Sequence, residues 1–516
     1  MTRKRSGGRA ARMQDRSGGA GSGPTTAIWP GIEGGQYAPL TPAEIKMIDQ
    51  TAMRILEEIG VKGATQTCID TICTAGGELT EDGRLLMPEP MVRRVLSTAG
   101  RGFKLHGLDP VHEIDPSGSR THFGTSGAAV HIIDSKTGAI RDTTLRDLYD
   151  MARLADQLPN IHMFQRTVVA RDITDPREMD LNTAYACLKG TAKPTGTSFG
   201  DPKVMEEAVQ MLAMITGGYD ALRARPPMCV STCFIVPPLT FAEEALGVIE
   251  CAAKYGIPLK LVSAGQAGAT SPAPLAGAVA QQTAEVLAGL VYVNHLNPGH
   301  PATFGALPFV SDLRTGAMSG GSAEQGLLMA ACAQMARFYD IPCAVSAGMT
   351  DSKMPDFQAG YEKGCTELMA SQAGANLIYE AAGMYGSLLG CSLESFVLDN
   401  DLIGSVMRAT RGFEVTENTL SLEAIRDVCV GGAGHFLGHA QTINRMESDY
   451  FYPAMADRRT PQEWAVAPDK DLLEQARLRT QDMLAQPVPA HISDQLDRDI
   501  RKHFPIRDLG GIVIND

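Results

Sequence analysis

The feature that most constrains the fold is a strand–helix unit that recurs eight times between residues 121 and 379. Each unit begins with a short apolar run and continues into a segment with helical periodicity. The apolar runs cover residues 121–126, 162–169, 194–199, 227–236, 258–264, 301–307, 341–347 and 375–379. Strands that alternate with helices predict a parallel sheet, and eight such units in about 250 residues match a TIM (β/α)8 barrel.

An open, doubly wound α/β sheet is the competing arrangement. Its nucleotide-binding version places a GxGxxG or GxxxxGK[ST] loop after an early strand. Neither pattern follows any of the early apolar runs. The sequence therefore favours the α/β barrel over the open sheet.

Composition narrows the class of protein. The chain has 516 residues, a formal net charge of −13 and eleven cysteines without a CxxC pair. A negative net charge argues against general nucleic-acid binding, which requires a basic face. Scattered cysteines without a secretory signal predict reduced thiols and a cytoplasmic enzyme. Cys229 and Cys233 share one strand face, which fits either a soft metal site or, preferably, core packing.

Four regions are predicted along the chain. Residues 1–28 form a disordered basic arm, because arginines alternate with glycines and serines. Residues 29–115 form a helical cap region, residues 116–392 the barrel, and residues 393–516 a C-terminal helical extension packed on it. The sequence contains no uninterrupted apolar run of 18 residues, so it predicts no membrane-spanning helix.

The richest polar loop follows the seventh apolar run. Residues 347–358 hold Asp351, Lys353, Asp356 and Gln358 directly before a helical pattern. In parallel α/β folds the loops after the strands carry the functional residues. This loop is therefore expected at the barrel mouth.

Three separated segments resemble the trimethylamine methyltransferase family. They are SAGMTDSKMPDFQAGYEK (residues 346–363), GAGHFLGHAQT (432–442) and YFYPAMADRRTPQEW (450–464). The resemblance extends over about residues 35–510 and implies a barrel that moves a methyl group from an amine to the cobalt of a cognate corrinoid protein. It implies cobalamin carried by that partner, no metal bound directly by this chain, and a homo-oligomer.

The founding enzymes of that family use pyrrolysine, whereas this sequence contains only standard residues. It therefore resembles the non-pyrrolysine branch, which includes glycine betaine methyltransferases. The chemistry agrees, because a quaternary ammonium leaves as a neutral amine and needs no general acid. The protein then has to hold the cation, aim one methyl group outward and position it for transfer.

Aromatic faces and carboxylates are the groups expected to hold such a cation. The aromatic candidates near strand ends are Phe304, Phe309, Phe357, Tyr379 and Tyr385, each of which would otherwise pack in the core. The carboxylate candidates for the catalytic site are Asp351, Asp356 and Glu380, with helix capping as the alternative for Asp356. Gln358 and Lys353 are candidates for binding a substrate carboxylate or, alternatively, for bonding the backbone. Gln165 and Arg166 are further candidates for the carboxylate.

His435 and His439 form a separate candidate pair. Their i, i+4 spacing would place both imidazoles on one helix face, as in many zinc sites. The sequence HFLGH lacks the glutamate of HExxH, and the surrounding glycines indicate a loop. A loop is therefore favoured over a metal site, either a structural loop or, as the resemblance implies, one that faces the corrinoid.

Two other classes of function remain open from the sequence. A lyase or isomerase would need a Schiff-base lysine at a strand end, but Lys260 lies near a strand start and Lys353 lies in a loop. A non-catalytic barrel that binds a cationic metabolite is not excluded by any sequence feature.

Overall fold

Eight parallel strands form the centre of the molecule. The computed structural model describes residues 25–134, 137–466 and 471–509. The central strands are β1 (Arg120–Phe123), β2 (Phe164–Gln165), β3 (Thr195–Thr197), β4 (Met228–Thr232), β5 (Leu259–Ser263), β6 (Ala302–Ala306), β7 (Cys343–Ser346) and β8 (Leu377–Tyr379). Each strand pairs in parallel with the next from β2 to β8, and β8 pairs in parallel with β1.

The sheet closes on itself between β1 and β2. Gly124 forms a parallel bridge with Met163. The backbone N–H of His162 donates to the Phe123 carbonyl at 2.7 Å, and the Thr125 hydroxyl donates to the Gln165 carbonyl at 2.8 Å. These contacts complete an eight-stranded ring, so the predicted TIM barrel is confirmed.

A helix follows every strand of the barrel. The helices are α1 (Leu145–Gln157), α2 (Pro176–Gly190), α3 (Pro202–Thr216), α4 (Glu243–Tyr255), α5 (Leu275–Leu296), α6 (Ala323–Tyr339), α7 (Phe357–Gln372) and α8 (Leu393–Arg411), with a short helix, Tyr219–Ala224, after α3. Asp175, Asp201 and Asp356 cap α2, α3 and α7 by accepting hydrogen bonds from backbone N–H groups in their first turns. The strands are buried nearly throughout, because helices cover the outside and side chains fill the inside.

Short strands extend the connections around the barrel mouth. They are Ile235–Val236, Thr240–Phe241, Gln266–Ala267, Phe309–Ser311, Met318–Ser319, Met384–Tyr385 and Gly390–Cys391, together with His131–Ile133 and Ile140–Asp142. Most pair with one another in small sheets separate from the barrel. These rim strands fix the loops that follow β1, β4, β5, β6 and β8.

Helices before the barrel pack on its outer layer. They are Pro42–Arg54, the π-helical turn Ile55–Ile59, Gln66–Thr74 and Glu89–Thr98, with short strands at Glu78–Leu79, Leu85–Leu86, Leu105–His106 and Glu113–Ile114. The strand Ile32–Glu33 pairs antiparallel with the start of β1. The Tyr339 hydroxyl at the end of α6 donates to Asp49 at 2.8 Å and ties the first of these helices to the barrel.

The chain after α8 contributes two groups of elements. Helices Pro461–Val466, Leu472–Leu484 and Asp494–His503 belong with the barrel, where Arg153 of α1 donates to the Leu484 and Gln486 carbonyls. Residues 25–28 and Phe413–Tyr452 form a second compact unit with helices Glu417–Leu420, Leu422–Cys429 and Ala440–Arg445. Most of the predicted basic arm, residues 1–24, lies outside the described residues.

No helix in the described ranges has the length and apolar character needed to span a bilayer.

Candidate active site

A cavity of about 350 Å³ opens at the carboxyl ends of the barrel strands. Its lining comes from β2, β3, β4, β5 and β8, from the residues that follow β1, β2, β3, β4, β6 and β8, and from α4. The lining residues are Ser126, Gly127, Ala128, Gln165, Arg166, Gly196, Thr197, Ser198, Phe199, Ser231, Thr232, Cys233, Ala245, Lys260, Val262, Leu307, Tyr379 and Glu380. This is the end of a TIM barrel at which active sites form.

Gln165 connects three strands at the floor of the cavity. Its carboxamide oxygen accepts hydrogen bonds from the Lys260 ammonium at 2.5 Å and the Ser231 hydroxyl at 3.3 Å. Its carboxamide nitrogen donates to the Cys229 sulfur at 3.2 Å. Both ends of one amide are therefore used to fix neighbouring polar groups.

Lys260 presents a buried cation to this floor. It is the second residue of β5, yet its side chain extends along the barrel interior into the cavity. The ammonium nitrogen lies 3.3 Å from the centroid of the Tyr379 ring, a cation–π contact. Burial lowers the pKa of Lys260 to about 8, although Cys229 and Glu380 act in the opposite direction.

Glu380 follows β8 in a left-handed backbone conformation, with φ of 70°. Such a conformation is strained for a residue with a side chain, and strained residues concentrate at functional sites. One carboxylate oxygen of Glu380 and the Tyr379 hydroxyl are buried without a hydrogen-bond partner among the described residues. Burial raises the pKa of Glu380 to about 8, while Lys260 acts to lower it. The Glu380 carboxyl and the Tyr379 hydroxyl can thus each form a hydrogen bond with a ligand.

Arg166, directly after β2, adds a second cation to the cavity wall. Within the described ranges its guanidinium forms no hydrogen bond or ion pair with another side chain. Burial lowers the pKa of Arg166 from its ordinary value, and Asp180 opposes this. Arginine side chains stay charged in proteins, so the guanidinium is available for an anionic group of a ligand.

The two cysteines of β4 and its loop have different surroundings. Cys229 is buried against Gln165, whereas Cys233 is open to the cavity. Burial raises the pKa of both thiols, so both stay protonated near neutral pH. No cluster of three or more His, Cys, Asp or Glu residues suited to a metal ion occurs in the described part of the chain.

Four of the residues predicted from the sequence come together in this cavity: Gln165, Arg166, Tyr379 and Glu380. Lys260 was not among them, because its position near a strand start places its Cα at the opposite end of the barrel. One sequence signal does indicate it. Lys260 is the single charged residue in the buried strand LKLVS, so its long side chain has to point along the barrel interior.

Asp351 lies outside this cavity and joins three rim loops. Its carboxylate accepts hydrogen bonds from the Ser319 hydroxyl at 2.5 Å, the Gly320 N–H at 2.7 Å and the Ser387 hydroxyl. It borders a separate groove of about 680 Å³ on the rim. The geometry gives Asp351 a structural role at the mouth and no contact with the cavity of Lys260.

The other predicted residues of the 347–358 loop start α7. Asp356 is the N-cap and accepts a hydrogen bond from the Ala359 N–H at 2.9 Å. Phe357 is 87% exposed and packs on Tyr361, with the ring centroids 5.6 Å apart. Gln358 donates to Glu362 within the helix. None of the three lines the cavity, because all three lie at the N-terminal end of α7, in the outer layer of the barrel.

The remaining aromatic candidates also lie elsewhere. Phe304 is buried between β6 and α6, with its ring centroid 6.3 Å from that of Tyr339. Phe309 is buried in a rim strand. The hydroxyl of Tyr385 accepts from Ser395 at 2.6 Å, and its ring borders a second cavity beside Lys363. Strand alternation and the rim hairpins turn these rings away from Lys260.

His435 and His439 lie in the 413–452 unit. His439 is the N-cap of helix Ala440–Arg445 and accepts a hydrogen bond from the Gln441 N–H at 3.2 Å. His435 is exposed in the preceding turns. The pair therefore does not share a helix face, and its orientation toward a corrinoid stays a prediction.

The cavity combines a carboxyl group with two cations in a small volume. A ligand with a carboxylate would meet Arg166 and Lys260, and a cationic end would meet Glu380 and the aromatic rings of Tyr379 and Phe199. The two cations disfavour a ligand that carries only positive charge. The arrangement suits a small zwitterion.

Comparison with known proteins covers nearly the whole chain. The glycine betaine methyltransferase of Desulfitobacterium hafniense is 31% identical over 470 residues, which cover 90% of this chain and 96% of that protein. A trimethylamine methyltransferase of Methanosarcina mazei is 32% identical over 480 residues, which cover 91% and 94%.

Among solved structures, Xanthomonas albilineans dihydropteroate synthase aligns with 60% of this chain and 99% of its own, at 14% identity and a TM-score of 0.35. The strand pairing by itself shows the barrel. Residues 5–508 match the family described as "Trimethylamine methyltransferase (MTTB)". The chain therefore belongs to the trimethylamine methyltransferase family.

Proposed function

We propose that this protein transfers a methyl group from a small quaternary amine resembling glycine betaine to the cobalt of a cognate corrinoid protein. The observation that carries the proposal is the mouth cavity, in which Arg166, Lys260 and Glu380 meet within about 350 Å³. Family membership supports the methyl-transfer chemistry, and one relative is named as a glycine betaine methyltransferase.

In the proposed complex the substrate carboxylate pairs with Arg166, and Lys260 contributes a second positive charge at the floor. The ammonium end lies near Glu380, whose unpartnered oxygen becomes a charge partner once it ionises. The chain's residues thus orient the substrate and exclude water. No proton transfer is needed, because the departing amine is neutral.

The corrinoid, when carried by its partner protein, supplies the cobalt centre that accepts the methyl group. A corrin macrocycle is far larger than this cavity, so the partner would have to present it from outside the barrel mouth. The cavity lies at the carboxyl ends of the strands, and its volume of about 350 Å³ has room for a small amine.

The test is to mix the protein with a reduced corrinoid protein and a series of amines and to follow the absorbance change that marks methylation of cobalt. Glycine betaine is expected to react, whereas choline, which lacks the carboxylate, is expected to react poorly. Methylation with trimethylamine but with no quaternary amine would contradict the proposed substrate. Tight betaine binding with no methylation would favour a non-catalytic binding protein.

Two variants connect this assay with the site. Arg166→Met is expected to raise the KM for glycine betaine at least tenfold, because the carboxylate loses a charged partner. Arg171→Met is the matched control, since Arg171 forms a surface pair with Asp142 away from the cavity. Equal effects of the two changes would contradict the role proposed for Arg166.

A further inference from the structure

The turn after β8 carries Glu380 into the cavity in a conformation that needs support. Glu380 has a φ of 70°, is 2% exposed and lines the cavity wall. A left-handed backbone is unfavourable for a residue with a side chain, so it persists only where the surrounding structure over-determines it. The neighbours of residues 379–383 therefore have to supply that support.

Three elements hold this turn in place. The strand directly before Glu380 pairs with β7, and the Ala381 N–H donates to the Gly124 carbonyl after β1 at 3.1 Å. On the third side, the Gly383 N–H donates to the Asp399 carboxylate of α8 at 2.8 Å. Among the described residues, Asp399 provides the single side chain that bonds to the backbone of this turn. The first two contacts belong to the barrel itself, so Asp399 is the adjustable support.

The Asp399 carboxylate is itself held in one orientation. Its Oδ2 atom accepts a hydrogen bond from the Lys363 ammonium of α7 at 2.9 Å, and the same atom accepts from Gly383. The side chains of Lys363 and Asp399 are 2% and 5% exposed. The Lys363 ammonium also lies 5.0 Å from the centroid of the Tyr385 ring. One oxygen atom is thus aimed at the turn by a buried partner on another helix.

Stability alone does not account for this buried ion pair. Apolar residues of similar volume commonly stabilise a core as well as a buried ion pair or better. What an ion pair adds is a fixed direction for the acceptor atom. Neither Lys363 nor Asp399 lines the mouth cavity, and both border a separate cavity of about 290 Å³. Any effect of Asp399 on the mouth cavity therefore passes through the turn at Gly383.

We propose that Asp399, aligned by Lys363, is a positioning residue that holds the Glu380 carboxyl in the cavity through its hydrogen bond with the Gly383 N–H. This role rests on the proposed function, in which Glu380 faces the substrate ammonium. The property that matters is the acceptor oxygen at this place. The negative charge of Asp399 serves to keep Lys363 paired.

Two double variants separate the acceptor from the ion pair. One combines Lys363→Met with Asp399→Asn, and the other combines Lys363→Met with Asp399→Leu. Both remove the ion pair without leaving one buried charge unpaired. Asparagine keeps an oxygen that accepts from the Gly383 N–H, whereas leucine has the same branching and accepts no hydrogen bond. Each double variant is thus the matched control of the other.

Crystal structures of the two double variants test the positioning directly. With Asp399→Asn, Glu380 should keep its left-handed φ and its place in the cavity. With Asp399→Leu, the turn should relax to a negative φ and withdraw the carboxyl from the cavity. An unmoved Glu380 in the Asp399→Leu variant would overturn the proposal. A displaced Glu380 in the Asp399→Asn variant would do so too, which keeps the test decisive if the leucine variant does not fold.

Binding of tetramethylammonium, measured by calorimetry at pH 7 and pH 9, gives a readout that lost stability alone would not change. Burial raises the pKa of Glu380 to about 8, so its carboxyl ionises across this interval. The wild-type protein and the Asp399→Asn double variant should gain about tenfold in affinity, and the Asp399→Leu double variant less than about twofold. Lys260, Arg166 and Cys233, which line the same cavity, are unchanged in both variants.

Failure of the positioning role and failure of the proposed function give different results. A wild-type protein without the gain in affinity at pH 9 would contradict the role of Glu380 in the proposed function. A wild-type gain that persists undiminished in the Asp399→Leu double variant would overturn the positioning role of Asp399 and leave the proposed function standing.

Discussion

Glu380 is the residue at which backbone and side chain both depart from ordinary behaviour. Its left-handed φ occurs at the end of β8 together with a buried carboxyl, one oxygen of which has no hydrogen-bond partner among the described residues. Because burial raises its pKa to about 8, the carboxyl is mostly protonated at pH 7 and mostly ionised at pH 9. The charge of the cavity therefore changes within an accessible pH range.

This titration predicts the pH dependence of cation binding. Tetramethylammonium, which has no carboxylate, should bind about tenfold more tightly at pH 9 than at pH 7, because Glu380 gains its negative charge across that interval. Lys260, with its pKa also lowered to about 8, loses a repelling charge over the same range. Calorimetric titration of the wild-type protein and of Glu380→Gln checks the assignment. An undiminished rise in Glu380→Gln would show that Glu380 is not responsible.

Gly348, just after β7, has no room for a side chain. Its φ is 93°, and an added Cβ would lie 2.5 Å from a Glu367 carboxylate oxygen and 2.6 Å from the Ala381 Cα. Gly348→Ala should therefore destabilise the protein by about 2 kcal/mol or more, seen as a lower thermal midpoint. Gly360→Ala is the control. Gly360 lies in α7 with no atom within 4 Å of the added carbon, so that change should stabilise slightly.

At the level of elements, Asp351 connects the loops after β6, β7 and β8. Asp351→Ala removes charge-assisted hydrogen bonds from all three and should cost about 2 kcal/mol. Hydrogen exchange at the Gly320 amide should accelerate in this variant. Asp312→Ala should change it little, because Asp312 pairs with Arg314 inside its own turn. Unchanged hydrogen exchange at the Gly320 amide in Asp351→Ala would contradict the proposal that Asp351 joins the loops.

The sequence predicted the barrel because each apolar run is followed by a helical pattern, and those two periodicities depend on local residues. The site was predicted in part. Gln165, Arg166, Tyr379 and Glu380 lie at the carboxyl ends of strands. At those positions the Cα alone already places the side chain at the barrel mouth. Lys260 reaches the cavity through side-chain length, and the rim hairpins turn Phe309 and Tyr385 away from it. The turn of the rim hairpins cannot be read from position along the chain, and Lys260 is indicated only by its being the single charged residue in a buried strand.

At the scale of the whole molecule, partly buried hydrogen bonds join the C-terminal helices to the barrel. Arg153 of α1 is buried and donates to the carbonyls of Leu484 and Gln486 at 2.8 and 2.9 Å. Lys189 of α2 donates to the Ile492 carbonyl at 2.9 Å. The last helices therefore depend on side chains that lie more than 300 residues earlier in the sequence.

Arg153→Met should release this end of the chain. The change removes the guanidinium that bonds two partly buried carbonyls and should cost about 2 kcal/mol. Limited proteolysis is expected to cut residues 471–509 faster than in the wild-type protein. Arg177→Met is the control, because Arg177 forms an exposed pair with Glu207 and should have little effect. Equal cleavage of the two variants would contradict the proposed role of Arg153.

The amide of Gln165 has a consequence for how such an enzyme diverges. Because Lys260, Ser231 and Cys229 all depend on this one side chain, replacing it disturbs three strands in a single step. Substitution at the floor is therefore costly, whereas the side chains of Phe199 and Ala128, which follow β3 and β1, form no hydrogen bond among the described residues. New substrate preferences should arise through changes at the rim first, with the floor inherited intact.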